Sequence, residues 1–317
     1  MNNKKCPFCN SPECIKKGFQ QGHQRWQCKK CKTKFQANKK VPLIKEELFC
    51  LYVFNKQTLR ELSVEHHFKT QNLQSFFDSV VLPKKKHCPR ELSLAVDTTF
   101  FEEFGVVVFR DQERKENLWW KFVESERLIH YEEGMIYLER LGYTFRSVTG
   151  DGLPGLPSVF VDIQFQYCHF HARKNITKYI TRNPKTNAGI ELKFIMDSLK
   201  SYTHNSFLKD MSYWEEKYSY FLKEKTYHPG GNWSYTHGRL RSAIRSMKRM
   251  SGYLFTYQRC NFFMPVTTNT LEGHFAHLKV RVGVHRGISL KRKQRIIYLV
   301  LLNSSASYEK DMHKKLF

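Results

Sequence analysis

Three acids and two cysteine pairs are the residues of this chain whose types and spacing suit chemistry. Asp97 interrupts the apolar stretch Leu92–Phe101, and Asp151 sits between Gly150 and Gly152. Burying a carboxylate without a partner is costly, so an acid inside an apolar strand calls for a cation or a donor. Two such acids at neighbouring strand ends begin a site for a hard divalent cation, which prefers carboxylate oxygen. A third, Glu272, follows Thr268 and Asn269, either of which can cap a helix carrying Glu272 in its first turns. Each acid also has a plain structural reading: an edge-strand acid, a turn residue and a first-turn helix acid favoured by the dipole. Glu102 and Asp162 are the rival acids, with Asp162 the first substitute for Asp151.

Cys6-Pro7-Phe8-Cys9 and Cys28-Lys29-Lys30-Cys31 are two CxxC pairs separated by 18 residues. That is zinc-ribbon spacing: two turns offer four thiolates to one tetrahedral Zn²⁺, a closed and structural site without chemistry of its own. Cys14 is left out of the ligand set. Cys168 and His171 form a CxxH pair with His169 between them. Two ligands do not make a zinc site, so structural support beside the acids is the preferred reading.

Positioning these residues requires particular elements. Leu92–Phe101, Phe104–Asp111 and Leu118–Glu124 read as three strands of an antiparallel meander, and Arg127–Leu141 has apolar residues at helical spacing. Tyr143–Thr149 returns as a fourth strand ending at Asp151, and Asp162–Tyr167 as a fifth. Open sheets gather functional groups at strand ends and switch points. Residues 181–264 read as an all-helical insertion rich in aromatics, mostly core; Trp233, in a glycine-flanked turn, is a candidate to stack on a displaced base. Residues 265–317 return to the core as helices bearing Glu272.

Ahead of the sheet, residues 1–40 form the ribbon and 41–90 three helical patterns with a basic linker, joined to the ribbon at Val41-Pro42. Leu43–Phe54, Leu59–Val64 and Gln71–Val81 are the pattern of a helix-turn-helix, with Thr70 as N-cap of the third. Gln71, Asn72 and Gln74 are side chains able to reach base edges. The bland alternative is a helical spacer.

The chain of 317 residues has a net charge of +24. Residues 1–90 carry +13, residues 91–163 carry −7 and residues 164–317 carry +18. Two basic arms around an acidic centre suit a protein that grips a polyanion and binds a divalent cation between. Arg239, Arg245, Lys279, Arg281 and Arg286 are the candidate phosphate contacts. His274 and His277 read as exposed or DNA-contacting. The longest apolar run, Ile296–Leu302, is too short to span a bilayer, and no signal-peptide core is present; the expectation is a cytoplasmic, nucleoid-associated protein with no membrane partner.

VDTTF around Asp97, TGDG around Asp151, Cys168-x-x-His171, TRNPKTNAGIEL from Thr181, YTHGRLRSAIRSMKRM from Tyr235, TTNTLEGHFAHLK from Thr267 and HRGIS from His285 together carry a resemblance. The whole chain resembles Mutator-type bacterial insertion-sequence transposases, in the subgroup with an N-terminal zinc ribbon. The resemblance implies an α/β fold with an RNase H-like mixed-sheet core, interrupted by the helical insertion. It also implies a DDE triad of Asp97, Asp151 and Glu272, with Cys168 and His171 as a motif. Chemistry agrees: strand cleavage and transfer need in-line oxygens and neutralised charge, which two Mg²⁺ (or Mn²⁺) ions on these three acids would provide. The expected partners are transposon-end and target DNA, with a homodimer on DNA. A DNA-binding regulator with an inactive core and a nuclease on the same fold are the alternatives.

Overall fold

The computed structural model describes residues 5–9, 11–20, 23–36 and 44–304. The expected linker at Val41-Pro42 and the helix start at Leu43 lie outside the described residues. The described residues divide into two compact units, one formed by those up to Lys84 with Leu278–Val300, the other by Lys85–His277 with residues 301–304.

The first unit opens with a three-stranded antiparallel sheet, β1 (Cys14–Gln20), β2 (His23–Cys28) and β3 (Lys34–Gln36). Three helices follow: α1 (Lys45–Phe54), α2 (Leu59–His66) and α3 (Thr70–Ser79). Thr58 caps α2 in a reciprocal box with Glu61, its hydroxyl accepting from the Glu61 N–H at 3.2 Å. Thr70 is not the cap of α3; Lys69 holds that position and makes no side-chain cap bond. Phe49, Tyr52 and Phe77 form the aromatic centre of α1 and α3, and Gln71 and Asn72 lie exposed on α3.

The second unit is built on a mixed five-stranded sheet in the order β6-β5-β4-β7-β8. Its strands are β4 (Glu91–Phe100), β5 (Gly105–Asp111), β6 (Glu116–Val123), β7 (Thr144–Gly150) and β8 (Gln164–Tyr167). β4, β5 and β6 form an antiparallel meander, and β7 and β8 run parallel to β4. Parallel pairing needs a crossover, supplied by α4 (Leu128–Arg140) and then α5 (Leu156–Val159). Every residue of β5 is buried, which explains its unbroken Val106-Val107-Val108-Phe109 run where a half-exposed strand would alternate. Leu92, Leu94 and Val96 of β4 pack with Tyr131, Met135 and Leu138 of α4. Gly134 allows this close approach, since a Cβ there would stand 2.8 Å from the Phe109 and Trp119 rings.

A second core belongs to the region after β8. There α6 (His169–Ile180), α7 (Asn187–Asp197), α8 (His204–Lys217), α9 (Ser219–Lys223) and α10 (Gly238–Leu254) pack around Trp214, Phe207 and Met247. The region is mostly helical but not all-helical as the sequence suggested. β9 (Lys225–Tyr227) and β10 (Trp233–Tyr235) form an antiparallel hairpin. Its short β-favouring segments flank Gly230 and Gly231, whose φ values of 96° and 81° suit only glycine without strain. The last elements are α11 (Asn269–Val284) and α12 (Leu290–Leu302). No helix among the described residues is long and apolar enough to cross a membrane.

Candidate acidic site and thiolate cluster

Strand alternation decides what Asp97 faces. Leu94, Val96 and Thr98 point to the α4 side of the sheet, so Asp97 points to the other. There it meets His171 from the first turn of α6 and Glu272 from the first turn of α11. One ligand atom from each of Asp97, His171 and Glu272 lies within 4.8 Å of the other two. His171 Nε2 is 2.9 Å from Glu272 Oε1 and 3.9 Å from Asp97 Oδ2, and the Thr98 N–H donates to Asp97 Oδ1 at 2.9 Å. Asp97 is only 4% exposed.

Electrostatics follow from this crowding. Burial, with the charges of Asp151 and Glu272, pushes the Asp97 carboxyl well above the usual range, against the pull of His171. The hydrogen bond from His171 holds Glu272 below it. Burial opposes an imidazolium at His171, yet Cys168, Glu272 and Asp97 outweigh it and raise the ring to about 10. Asp97 and Glu272 thus favour the cationic form of the imidazole between them.

Asp151 follows β7, the neighbour of β4, and its Oδ1 accepts from the Leu153 N–H at 3.0 Å. It lies outside the tight Asp97–His171–Glu272 cluster, while its charge acts on Asp97. The turn that carries it is packed hard: a Cβ on Gly152 would fall 1.3 Å from the Tyr167 hydroxyl. The carboxylates of Asp97 and Glu272, with that of Asp151 past the end of the neighbouring strand, are hard oxygen donors of the kind a divalent cation takes.

Several further contacts set the segment before α11. The Cys168 N–H donates to Gly150 O at 2.8 Å, the His169 N–H to Val266 O at 2.9 Å, and the Thr149 hydroxyl to Pro265 O at 2.8 Å. Cys168 is fully buried, with its Sγ 3.3 Å from both the N and the Oγ1 of Thr268. Burial raises its thiol, but His171 and Thr268 bring it below the usual value. The CxxH pair thus ties β8, α6 and the start of α11 together, while His169 turns away to Leu254 O at 2.7 Å. Sequence reasoning missed Asn117, whose amide donates to Leu301 O at 3.1 Å and lies 3.0 Å from His274 Nε2. His274, expected as exposed or DNA-contacting, is half-buried against it. No local signal in sequence marks such a pair. Asp162 and Glu102, the rival acids, are not members of the Asp97 cluster.

The four sulfurs of Cys6, Cys9, Cys28 and Cys31 also lie within 4.8 Å of one another. Cys6 and Cys31 Sγ are 3.6 Å apart, and Cys9 and Cys28 Sγ 3.5 Å. These separations are far beyond the roughly 2.05 Å of a disulfide and close to the ~3.8 Å edge of a tetrahedron with Zn–S bonds of about 2.3 Å. The Cys31 N–H points at Cys28 Sγ, 3.5 Å away, as a metal-binding knuckle requires. Cys14 Sγ instead faces Ser11 O at 3.7 Å. The cluster can hold zinc.

The basic candidates separate into exposed and engaged. Arg239, Arg245, Lys279 and Arg286 are exposed, although Arg239 also donates to Lys178 O and Arg245 to Ser242 Oγ. Arg281 is half-buried and donates to Phe54 O at 2.7 Å, closing the C-terminus of α1. Gln74 is half-buried on α3.

A scan against protein-family models finds no match, and neither does a comparison with curated proteins. Among solved structures, a chain of the simian T-cell lymphotropic virus intasome in complex with PP2A regulatory subunit B56 gamma aligns over 63% of this chain, at 10% identity and a TM-score of 0.22. The alignment spans 65% of that chain, just under two thirds of its length. The Drosophila P element transposase strand transfer complex aligns over 86% of this chain and 79% of its own, at 9% identity and a TM-score of 0.31. Likenesses at this level establish neither a shared family nor a shared activity.

Proposed function

We propose that this protein is a DNA transposase with an RNase H-like core, cleaving and joining phosphodiester bonds at a site formed by Asp97, Asp151 and Glu272. The observation that supports it most is the convergence of Asp97 and Glu272, far apart in sequence, on one buried point beside the end of the next strand, which bears Asp151. Divalent cations, Mg²⁺ or Mn²⁺, held there would neutralise phosphoryl charge and activate the attacking oxygen.

The chain's own residues do the positioning. The Thr98 N–H fixes one oxygen of Asp97 and leaves the other turned to Glu272 and His171. His171 holds the Glu272 carboxylate and offsets the negative charge of the cluster. Phosphates would lie on the exposed cations of α10 and α11, with α1–α3 acting as a helix-turn-helix whose Gln71 and Asn72 read bases. The four thiolates would hold a structural Zn²⁺. A homodimer on paired DNA ends is part of the same reading.

A strand-transfer assay tests it. Protein, Mg²⁺ and DNA bearing the repeats that flank its gene should give joined products, and Asp97→Ala should give none. Repeat-specific binding with no cleavage by either protein overturns the reading in favour of a DNA-binding regulator. Cleavage without joining overturns it in favour of a nuclease.

A further inference from the structure

Glu126 lies in the turn between β6 and α4 and has no part in the site described so far. Its Oε1 accepts from the Tyr131 hydroxyl, and Tyr131 Oη is 2.9 Å from Thr98 Oγ1. Thr98 is the residue whose N–H orients Asp97. Because side chains alternate along a strand, Thr98 faces α4 while Asp97 faces α6 and α11. The connected groups Glu126, Tyr131 and Thr98 therefore grip, from one side of the sheet, the backbone that presents Asp97 on the other.

Packing alone does not explain a carboxylate here. Tyr131 is fully buried, and any acceptor, a neutral amide included, would satisfy its hydroxyl. An acid is instead placed where Asp151 repels it: burial first, then the charge of Asp151, raises the Glu126 carboxyl. Holding two carboxylates within each other's field costs free energy unless a cation is shared.

We infer that Glu126 is a positioning residue of the acidic site, setting Asp97 through Tyr131 and Thr98 and adding its charge to the field that draws a divalent cation beside Asp151. This rests on the reading of Asp97, Asp151 and Glu272 as cation ligands. Sequence gives no hint of it, since Glu126 sits in an ordinary Glu124-Ser125-Glu126 turn.

The test is Mn²⁺ binding to the full chain, followed by the loss of the free-ion paramagnetic resonance signal, with thermal melts alongside. Glu126→Gln keeps an acceptor for Tyr131 and removes the charge. It should weaken Mn²⁺ binding by roughly tenfold, as loss of an outer-sphere partner commonly does, with an unchanged melting temperature. Tyr131→Phe cuts the connection and should weaken binding as well. Wild-type affinity in Glu126→Gln, alongside lost affinity in Asp97→Asn, overturns the inference and leaves the cation site standing. If Glu126→Gln does not fold, wild-type affinity in Tyr131→Phe overturns it. Equal binding by wild type and Asp97→Asn, or none by either, removes the cation site itself and the inference with it.

Discussion

The Nε2 of His171 lies 2.9 Å from Oε1 of Glu272, joining the first turn of one helix to the first turn of another. The pair sits where Asp97 has been stripped of water, so the imidazole occupies the electrostatic role that a metal ion would otherwise fill. Removing it leaves two carboxyl groups facing each other with no counter-charge.

His171→Ala should therefore lower stability most when cations are withheld. Losing one partner of this half-buried pair should cost on the order of 1–3 kcal/mol, less than the roughly 3–5 kcal/mol of a fully buried one. Melting in EDTA should show the loss, and added Mn²⁺ should restore part of it by binding only the folded chain. A melting temperature that is the same in EDTA and Mn²⁺ would show that His171 and a cation do not substitute for one another.

The thiolate cluster predicts a single zinc equivalent per chain. Chromogenic chelator release from the purified protein measures it, with Cys9→Ser expected to abolish binding. Cys14→Ser should leave zinc content unchanged, because Cys14 faces the Ser11 carbonyl instead. Loss of the metal should unfold β1–β3, whose burial is too slight to hold them otherwise.

Acid should weaken the second unit at a definable place. Arg90 bridges Asp111 at 2.6 Å and Glu116 at 2.8 Å, and Lys85 also pairs with Glu116. Burial would raise the Glu116 carboxyl, but its hydrogen bonds and ion pairs with Lys85 and Arg90 prevail and lower it. A carboxyl depressed on folding contributes stability above its unfolded value near 4.5 and loses it as pH falls through the lower, folded value. Glu116→Gln should thus destabilise the protein at neutral pH and flatten the acid limb of a pH–stability curve.

The β9–β10 hairpin offers a fourth measurable property. Tyr227 pairs directly with Trp233, and Lys225 with Tyr235, so all four side chains share one face. Tyr227 is 72% exposed and Trp233 46%, while Lys225 Nζ lies 3.9 Å from the Trp233 ring centre. Exposed aromatics beside cations suit unpaired bases, each stacking contact being worth about 1–3 kcal/mol. Trp233→Ala should weaken binding to a single-stranded oligonucleotide by roughly tenfold or more. Duplex binding, read by fluorescence anisotropy in the same buffer, should change little.

Much of the sheet was legible because its residues obey one rule at a time. An apolar stretch interrupted by one acid placed β4, an unbroken valine run placed β5, and helical spacing placed α4, each within about two residues of where it lies. The four cysteines were legible for the same reason, since spacing alone specifies a knuckle. The hairpin was not, although Trp233 stood out as a candidate to stack on a base: three-residue strands with no buried face carry no period. Nor did sequence reveal that His171 would reach Glu272, or that Asn117 would meet His274. Those pairings depend on how α6 and α11 come to rest on the sheet, a tertiary outcome that no local pattern encodes. Arg281 is a similar case, because a basic residue looks the same in sequence whether it faces solvent or closes a helix end.

Glu272 enters the chain well over a hundred residues after Asp97, with the helical region between them. During synthesis, at roughly 5–20 residues per second, the five-stranded sheet with Asp97 and Asp151 leaves the ribosome seconds before Glu272 exists. α12, whose Arg292 pairs with Asp78 of α3 at 2.7 Å, arrives later still. Both units are therefore completed by segments that come after the helical region in the chain. A polypeptide cut short before α11 would keep Cys6, Cys9, Cys28 and Cys31 but lack Glu272 and the segments that close both units.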